Sequence, residues 1–176
     1  MKEGFGATVE WLPFDLHPEY PPEGIPREQL VARYGSDGMA RTQGFFEQHG
    51  LEYNPNPKVV PNSMRALRLT EHARAQGLHE PFHNRLMDAY WAEGVDLSQR
   101  PALESLAQGV GVSDAAVARA LDDRVWARTV DDSTARAQAA GATGVPAFVI
   151  DWRLLVVGAQ PRELLARAVE QARMSA

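Results

Sequence analysis

The sequence predicts an α/β fold with one strand near the start of the chain, two strands near its end and only helices between them. Residues 8–16 place Val9 and Trp11 on one side and Leu12 and Phe14 on the other, as in a strand buried on both faces. Helical periodicity then fills the middle of the chain, and two short β-prone runs and a last helix follow. The 176 residues suffice for one domain, or for one domain that carries a large insertion.

Caps and helix breakers define the predicted helices in the middle of the chain. Ser, Asp and Asn are typical helix caps, and proline favours the first turn of a helix, where an N–H has no helical acceptor. Glycine ends most of these helices. A proline-rich loop at 17–26 precedes them, and 51–61 is predicted to be irregular. The predicted helices begin near Arg27, Ser36–Asp37, Asn62–Ser63, Pro81, Pro101, Ser113–Asp114 and Trp126.

The end of the chain has the most informative pattern. A Gly-Val-Pro turn at 144–146 stands directly before the β-prone run 147–150, which predicts a loop entering a buried strand. A second apolar run at 152–157 is stopped by Gly158, and Pro161 stands at the first position of a closing helix. The predicted order is therefore loop, strand, strand and helix.

Composition and charge exclude several classes of protein. The net charge is −5 at pH 7 with Lys and Arg scattered, so the chain lacks the basic patch typical of nucleic-acid binding. No apolar run approaches the ~20 residues of a membrane span, and no apolar signal-peptide core follows the start, which predicts a cytoplasmic protein. Cysteine is absent, so these residues provide no disulfide, thiolate nucleophile or cysteine metal site.

The run Gly-Val-Pro-Ala-Phe-Val-Ile at 144–150, with Gly-Ala-Gln-Pro at 158–161, resembles the C-terminal signature of the DsbA-like thioredoxin fold. Within that family it is similar to the branch of FrnE-type oxidoreductases and 2-hydroxychromene-2-carboxylate isomerases. Trp-Leu-Pro-Phe at 11–14 is similar to the family's second strand. The resemblance extends from Thr8 onward and implies a thioredoxin-like fold with a large inserted helical domain.

The resemblance implies a core at 7–26 and 127–176 and an inserted all-helical domain at 27–126. It also implies a first strand and an active turn with Cys-x-x-Cys or serine, and residues 1–7 are too few to supply them. That strand is central in the family's sheet, so we expect exposed strand edges and a homo-oligomer formed through such an edge. Three accounts stay open: a mis-assigned or cut start, a strand supplied by a second copy, and a smaller sheet that closes directly.

Val145 and Pro146 are the predicted centre of a binding site. In the family this proline is cis and faces the catalytic sulfur. The backbone of the residue before it pairs with an extended peptide or with glutathione, a form of strand addition. The resemblance gives that role to Val145. The alternative is a plain turn that holds the strand in place.

Three further residues are candidates for the same site. The resemblance places Gln160 at the turn that binds the γ-glutamyl end of glutathione, and Asn62 at a helix start that orients the substrate. For both residues the alternative is a capping role. Trp152, just after the strand, is predicted either to line the cleft or to plug the turn.

Residues 79–83 match the His-Glu-x-x-His pattern of zinc proteases, but proline stands inside the pattern. Residues 79–83 read His-Glu-Pro-Phe-His, and zinc proteases with this pattern place both histidines on one face of a continuous helix. Pro81 favours a helix that begins there and leaves His79 outside. We therefore expect two surface histidines and no metal site.

By resemblance the chain is a thiol-disulfide oxidoreductase or a glutathione-dependent isomerase, yet such exchange begins with a thiolate that these residues lack. We therefore expect no catalytic residue in the chain and no required cofactor, with glutathione as the sulfur source for any isomerase chemistry. The alternatives are a non-catalytic module that binds peptide or thiol at the cis-proline groove and an inactive truncated fragment. The predicted partners are a peptide or a glutathione-like ligand, without nucleic acid or membrane.

Overall fold

The structure, a computed structural model, describes residues 6–54 and 58–174. These residues form eight helices and four short strands. In chain order they are β1 Ile25–Pro26, α1 Arg27–Tyr34, α2 Asp37–Gln48, β2 Val59–Val60, α3 Met64–Ala75, α4 His79–Trp91, α5 Arg100–Gly109, α6 Asp114–Asp122, α7 Arg124–Ala139, β3 Ala147–Ile150, β4 Leu154–Val157 and α8 Arg162–Met174.

The described residues divide into two compact units. One holds the described part of Met1–Leu16 and Asp131–Ala176, and the other, the helical unit, holds His17–Val130. The chain therefore passes from the helical unit to the other unit within α7. The domain boundaries expected from the sequence, 7–26 with 127–176 around 27–126, stay a prediction.

The helical unit has a continuous apolar core built by α3, α4, α5 and α6. Its buried residues recur three or four positions apart along each helix, which is the spacing of one helical face. Leu69, Phe82, Leu103 and Val117 have no exposed surface. The core consists of Ala66, Leu69, Ala73, Phe82, Leu86, Ala89, Leu97, Leu103, Leu106, Ala107, Val112, Val117, Ala120 and Leu121.

The helices in the middle of the chain begin at or near the predicted positions. Ser113 caps α6 as predicted, because its hydroxyl accepts a hydrogen bond from the Ala116 N–H. Ser36 and Ser63, by contrast, make no side-chain capping hydrogen bond.

Two helices begin two residues earlier than predicted: α4 begins at His79 rather than at Pro81, and α7 begins at Arg124 rather than at Trp126. Pro81 fits inside the first turn because the first N–H groups of a helix have no intrahelical acceptor. None of the described helices is long and apolar enough to cross a bilayer.

Residues 8–16 are not a strand, contrary to the prediction. Neither two-stranded sheet includes them, and a strand exists only through a ladder of hydrogen bonds to a neighbour, which alternation alone cannot provide. The expected burial on both faces is also wrong, since Trp11 is 53% and Leu12 51% exposed. Asp15 is buried, and its N–H donates to Thr134 Oγ1 on α7 at 2.9 Å.

A small sheet appears where only loops were predicted. Ile25 pairs with Val60 and Pro26 with Val59, antiparallel, so β2 lies in the segment 51–61 that was expected to be irregular. Two residues per strand are too few to show a period in the sequence. Residues 55–57 of the same segment lie outside the described residues.

The hairpin of β3 and β4 confirms the two predicted strands near the end of the chain. Ala147 pairs with Val157 and Ile150 with Leu154. The strands are half-buried rather than buried as predicted, because the described residues add no third strand and Val149 stays 45% exposed. The predicted self-association through a sheet edge stays a prediction.

Candidate functional site

The turn before β3 is the centre of the candidate site. The peptide bond between Val145 and Pro146 is cis. Val145 is 55% exposed, and no hydrogen bond joins its backbone to another of the described residues. The N–H and C=O of Val145 are therefore available to an extended ligand.

The end of β4 holds this turn in place. The Gly158 N–H donates to the Pro146 carbonyl at 2.7 Å, directly beyond the pairing of Ala147 with Val157. Gly158 has a φ of 86°, in the left-handed region that favours glycine. The sequence showed Gly158 only as the stop of a strand. Its role as a donor was missed because the acceptor, Pro146, lies twelve positions earlier in the chain.

Gln160 supports the same turn from its other side. Its Nε2 donates to the Val157 carbonyl at 3.0 Å. This contact is not a helix cap, because the amide donates to a strand carbonyl, and it commits one of the two amide N–H donors to the protein itself. The structure thus brings Val145, Pro146 and Gln160 to one end of the hairpin.

Trp152 lies at the opposite end of the hairpin, in the turn between β3 and β4. Its φ is 57° and that of Asp151 is 51°, the backbone of a type I′ turn. The four residues of β3 span roughly 13 Å at ~3.3 Å per residue, so the structure does not place Trp152 beside Val145. Trp152 does not plug the turn either, because 83% of it is exposed.

Asn62 belongs to the helical unit, where both ends of its amide have protein partners. Its Oδ1 accepts from the Met64 N–H at 3.0 Å at the start of α3, and its Nδ2 donates to the Tyr20 carbonyl at 2.7 Å. These contacts fit the capping alternative and tie the proline-rich loop to α3.

His79 and His83 lie on one face of α4, with rings stacked 5.6 Å apart. The prediction that Pro81 leaves His79 outside the helix is therefore wrong. Arg74 Nη2 donates to His79 Nε2 at 2.9 Å, and burial followed by this guanidinium lowers the pKa of His79. A metal cation at the His79 ring would be repelled by the charge of Arg74. The described residues contain no group of three side chains that could hold a metal ion.

Residues 2–170 match the sequence profile of the DsbA-like thioredoxin domain. The chain belongs to this family. YwbO, an uncharacterised protein of Bacillus subtilis strain 168, is 26% identical to it over 171 residues, which are 95% of this chain and 83% of YwbO. The resemblance to the family that the residues near both ends indicated is thereby confirmed.

Solved structures of the family agree with the fold. A probable DsbA oxidoreductase of Streptomyces coelicolor, SCO1869, is 28% identical and superposes with a TM-score of 0.84, over 93% of this chain and 74% of that one. A thioredoxin-like oxidoreductase from Silicibacter pomeroyi DSS-3 is also 28% identical, with a TM-score of 0.54 and 81% of each chain covered. The predicted α/β, thioredoxin-like fold with a helical insertion is confirmed.

Proposed function

We propose that this chain is a ligand-binding member of the DsbA-like family. It holds an extended peptide or glutathione along the backbone of Val145, and the reacting sulfur comes from outside these 176 residues. The single observation that supports this proposal is the backbone of Val145, which is exposed and unbonded within the described chain yet anchored through its neighbour Pro146.

The anchoring matters because an ordered donor and acceptor bind a ligand backbone with little loss of conformational freedom. The hydrogen bond from Gly158 to Pro146 ties the turn to β4, and the contact from Gln160 to Val157 closes the turn beyond it. A ligand segment that runs beside Val145 then adds backbone hydrogen bonds in the manner of strand addition.

Because the 176 residues contain no cysteine, the proposal assigns the reacting sulfur to the ligand or to a partner chain. Thiol-disulfide exchange begins with thiolate attack, and the chain's hydroxyl and imidazole groups do not replace a thiolate. Glutathione carries its own thiol, so the FrnE and isomerase branch is the part of the family that we propose for this protein. The predicted cytoplasmic location stays a prediction.

Titration of the ¹⁵N-labelled chain tests the proposal with three ligands: reduced glutathione, S-methylglutathione and a short extended peptide. We expect saturable shifts of the Val145, Ala147 and Gly158 amides at millimolar ligand, since these residues surround the unbonded backbone. S-methylglutathione is expected to bind as well as glutathione does, because the backbone rather than the thiol makes the contact.

Two substitutions at one position separate backbone from side-chain recognition. Val145→Ala keeps the N–H and is expected to leave affinity within about twofold, whereas Val145→Pro removes the donor and is expected to weaken binding about tenfold, near the ~1.4 kcal/mol of one lost hydrogen bond. Circular dichroism checks that both variants fold. Shifts spread over the whole surface, or none with any ligand, contradict the proposal.

A further inference from the structure

His72 on α3 is a buried titratable group that the proposed binding site does not use. It is 8% exposed, and its ring meets the Trp126 indole edge-on at 5.2 Å. Its Nε2 lies 2.7 Å from the Gln76 amide nitrogen, so the ring nitrogen accepts there. Its Nδ1 is buried and has no hydrogen-bond partner among the described residues.

The groups around His72 join α3 to the connection between α6 and α7. Arg68, one turn earlier on α3, donates to the Asp123 carbonyl at 2.7 Å, and its Nε is also buried without a partner in the described chain. Asp123 in turn caps α7, since its Oδ1 accepts from the Val125 N–H at 2.8 Å. We name this group the His72 joint: Arg68, His72, Gln76, Arg119, Asp123 and Trp126.

The joint is built for a neutral imidazole. With Nε2 as acceptor, the neutral ring carries its one proton on Nδ1, which is buried without a partner in the described chain in either protonation state. Protonation adds a second N–H donor at Nε2, and that donor faces the amide nitrogen of Gln76, which would have to turn away. Burial first, and then the charge of Arg119, lower the pKa of His72, while the Asp123 carboxylate opposes them. Proton uptake therefore conflicts with the packing of this site.

We propose that the His72 joint is a proton-sensitive contact: when His72 takes up a proton, its ring leaves Trp126 and α3 loosens from the α6–α7 connection. The apolar core residues away from this contact, such as Phe82 and Leu103, carry no titratable group and stay packed. Because the folded state holds the proton less tightly than the unfolded chain does, the joint is fully stable above about pH 6.5 and weakens as the pH falls below it.

Fluorine NMR of the intact chain labelled with 5-fluorotryptophan tests the proposal directly. Trp126 is assigned by Trp126→Phe, and the pH is lowered from about 8 to about 5. We expect the Trp126 signal to shift with a midpoint below that of a free histidine, together with the His72 ring proton. Trp91 is the last residue of α4 and packs against Phe46 and Tyr53, so its signal is expected to stay in place through the same step.

Two variants supply the matched comparison. His72→Phe keeps an aromatic ring against Trp126 but cannot take up a proton, and His49→Phe removes an exposed histidine on α2's end. Between about pH 6.5 and 5.5 the unfolding constant is expected to rise up to about fivefold more in the wild type than in His72→Phe, because over this range the unfolded chain binds, on average, less than one proton more than the folded chain does. His49→Phe is expected to keep the wild-type slope.

The outcomes are distinct. A His72 midpoint at or above that of a free histidine overturns the proposal, and so does an unchanged pH slope in His72→Phe. If the Trp91 and Trp126 signals move together, acid unfolds the helical unit as a whole and the local joint is refuted. If His72→Phe does not fold, the pH titrations of the His72 ring proton and the Trp126 fluorine signal in the wild type test the proposal.

Discussion

Two polar side chains predicted for the binding site form hydrogen bonds with backbone groups of the protein itself. Gln160 and Asn62 were both candidates for ligand contacts, and both hydrogen-bond main-chain groups. Such contacts are local in sequence for Gln160 and distant for Asn62, whose partner Tyr20 is 42 positions away. One such side-chain hydrogen bond to the backbone stabilises the folded state by about 1 kcal/mol and helps to position the segment that it joins.

Gln160→Glu tests this positioning role because the side chain keeps its shape and loses its donor. We expect about 1 kcal/mol lower unfolding free energy and a several-fold loss of affinity for both glutathione and an uncharged, amidated peptide. Urea unfolding and the amide titration measure these effects. Gln138→Glu, an exposed change on α7, is the control. A loss confined to glutathione would instead mean that Gln160 contacts the ligand's carboxylate.

At the scale of secondary-structure elements, the close approach of β2 to the chain before β1 requires glycine at position 24. Gly24, next to β1, has a φ of 81°, and a Cβ added there would lie 2.5 Å from the Val60 carbonyl oxygen and 2.7 Å from a Val59 methyl. Gly35 has a similar φ of 78° but nothing within 4 Å. The pair separates the effect of backbone strain from that of a steric clash.

Gly24→Ala and Gly35→Ala are expected to differ in stability for that reason. Gly35→Ala carries only the strain of a left-handed alanine, about 1–2 kcal/mol. Gly24→Ala adds a clash that forces β1 from β2, so we expect a loss larger by at least ~1 kcal/mol. Urea unfolding at neutral pH measures both. Equal losses of unfolding free energy in the two variants would mean that β1 and β2 shift at no cost to make room for the methyl group.

At the scale of the whole molecule, the chain combines a redox family with a sequence free of cysteine. The family match covers residues 2–170, and none of the 176 residues is cysteine. The ligand binding that we propose can therefore be measured without thiolate chemistry from this chain, unlike in a protein with its own thiolate.

An insulin-reduction assay measures that separation. The purified chain is expected to leave the rate of insulin precipitation by dithiothreitol unchanged, because it offers no thiolate to form a mixed disulfide. A thioredoxin-type enzyme at equal concentration serves as the positive control. Acceleration by this chain alone would contradict the expectation and point to a different reductive mechanism.

Much of the fold could be predicted because its signals are local. The helices from Arg27 to Ala139 follow from caps and apolar spacing, and the Gly-Val-Pro turn before β3 and the lack of cysteine are visible in the residues themselves. The family followed from short runs near both ends and was confirmed.

Only the tertiary structure decided what depends on partners distant in the chain. Residues 8–16 alternate like a strand but join no sheet, because pairing needs a neighbour that alternation does not supply. The donor that holds Pro146, the engaged amide of Asn62 and the buried, unpartnered nitrogen of His72 likewise arise from contacts between separate segments. Local sequence determines which elements form, whereas long-range packing determines which of their polar groups remain available to a ligand or a proton.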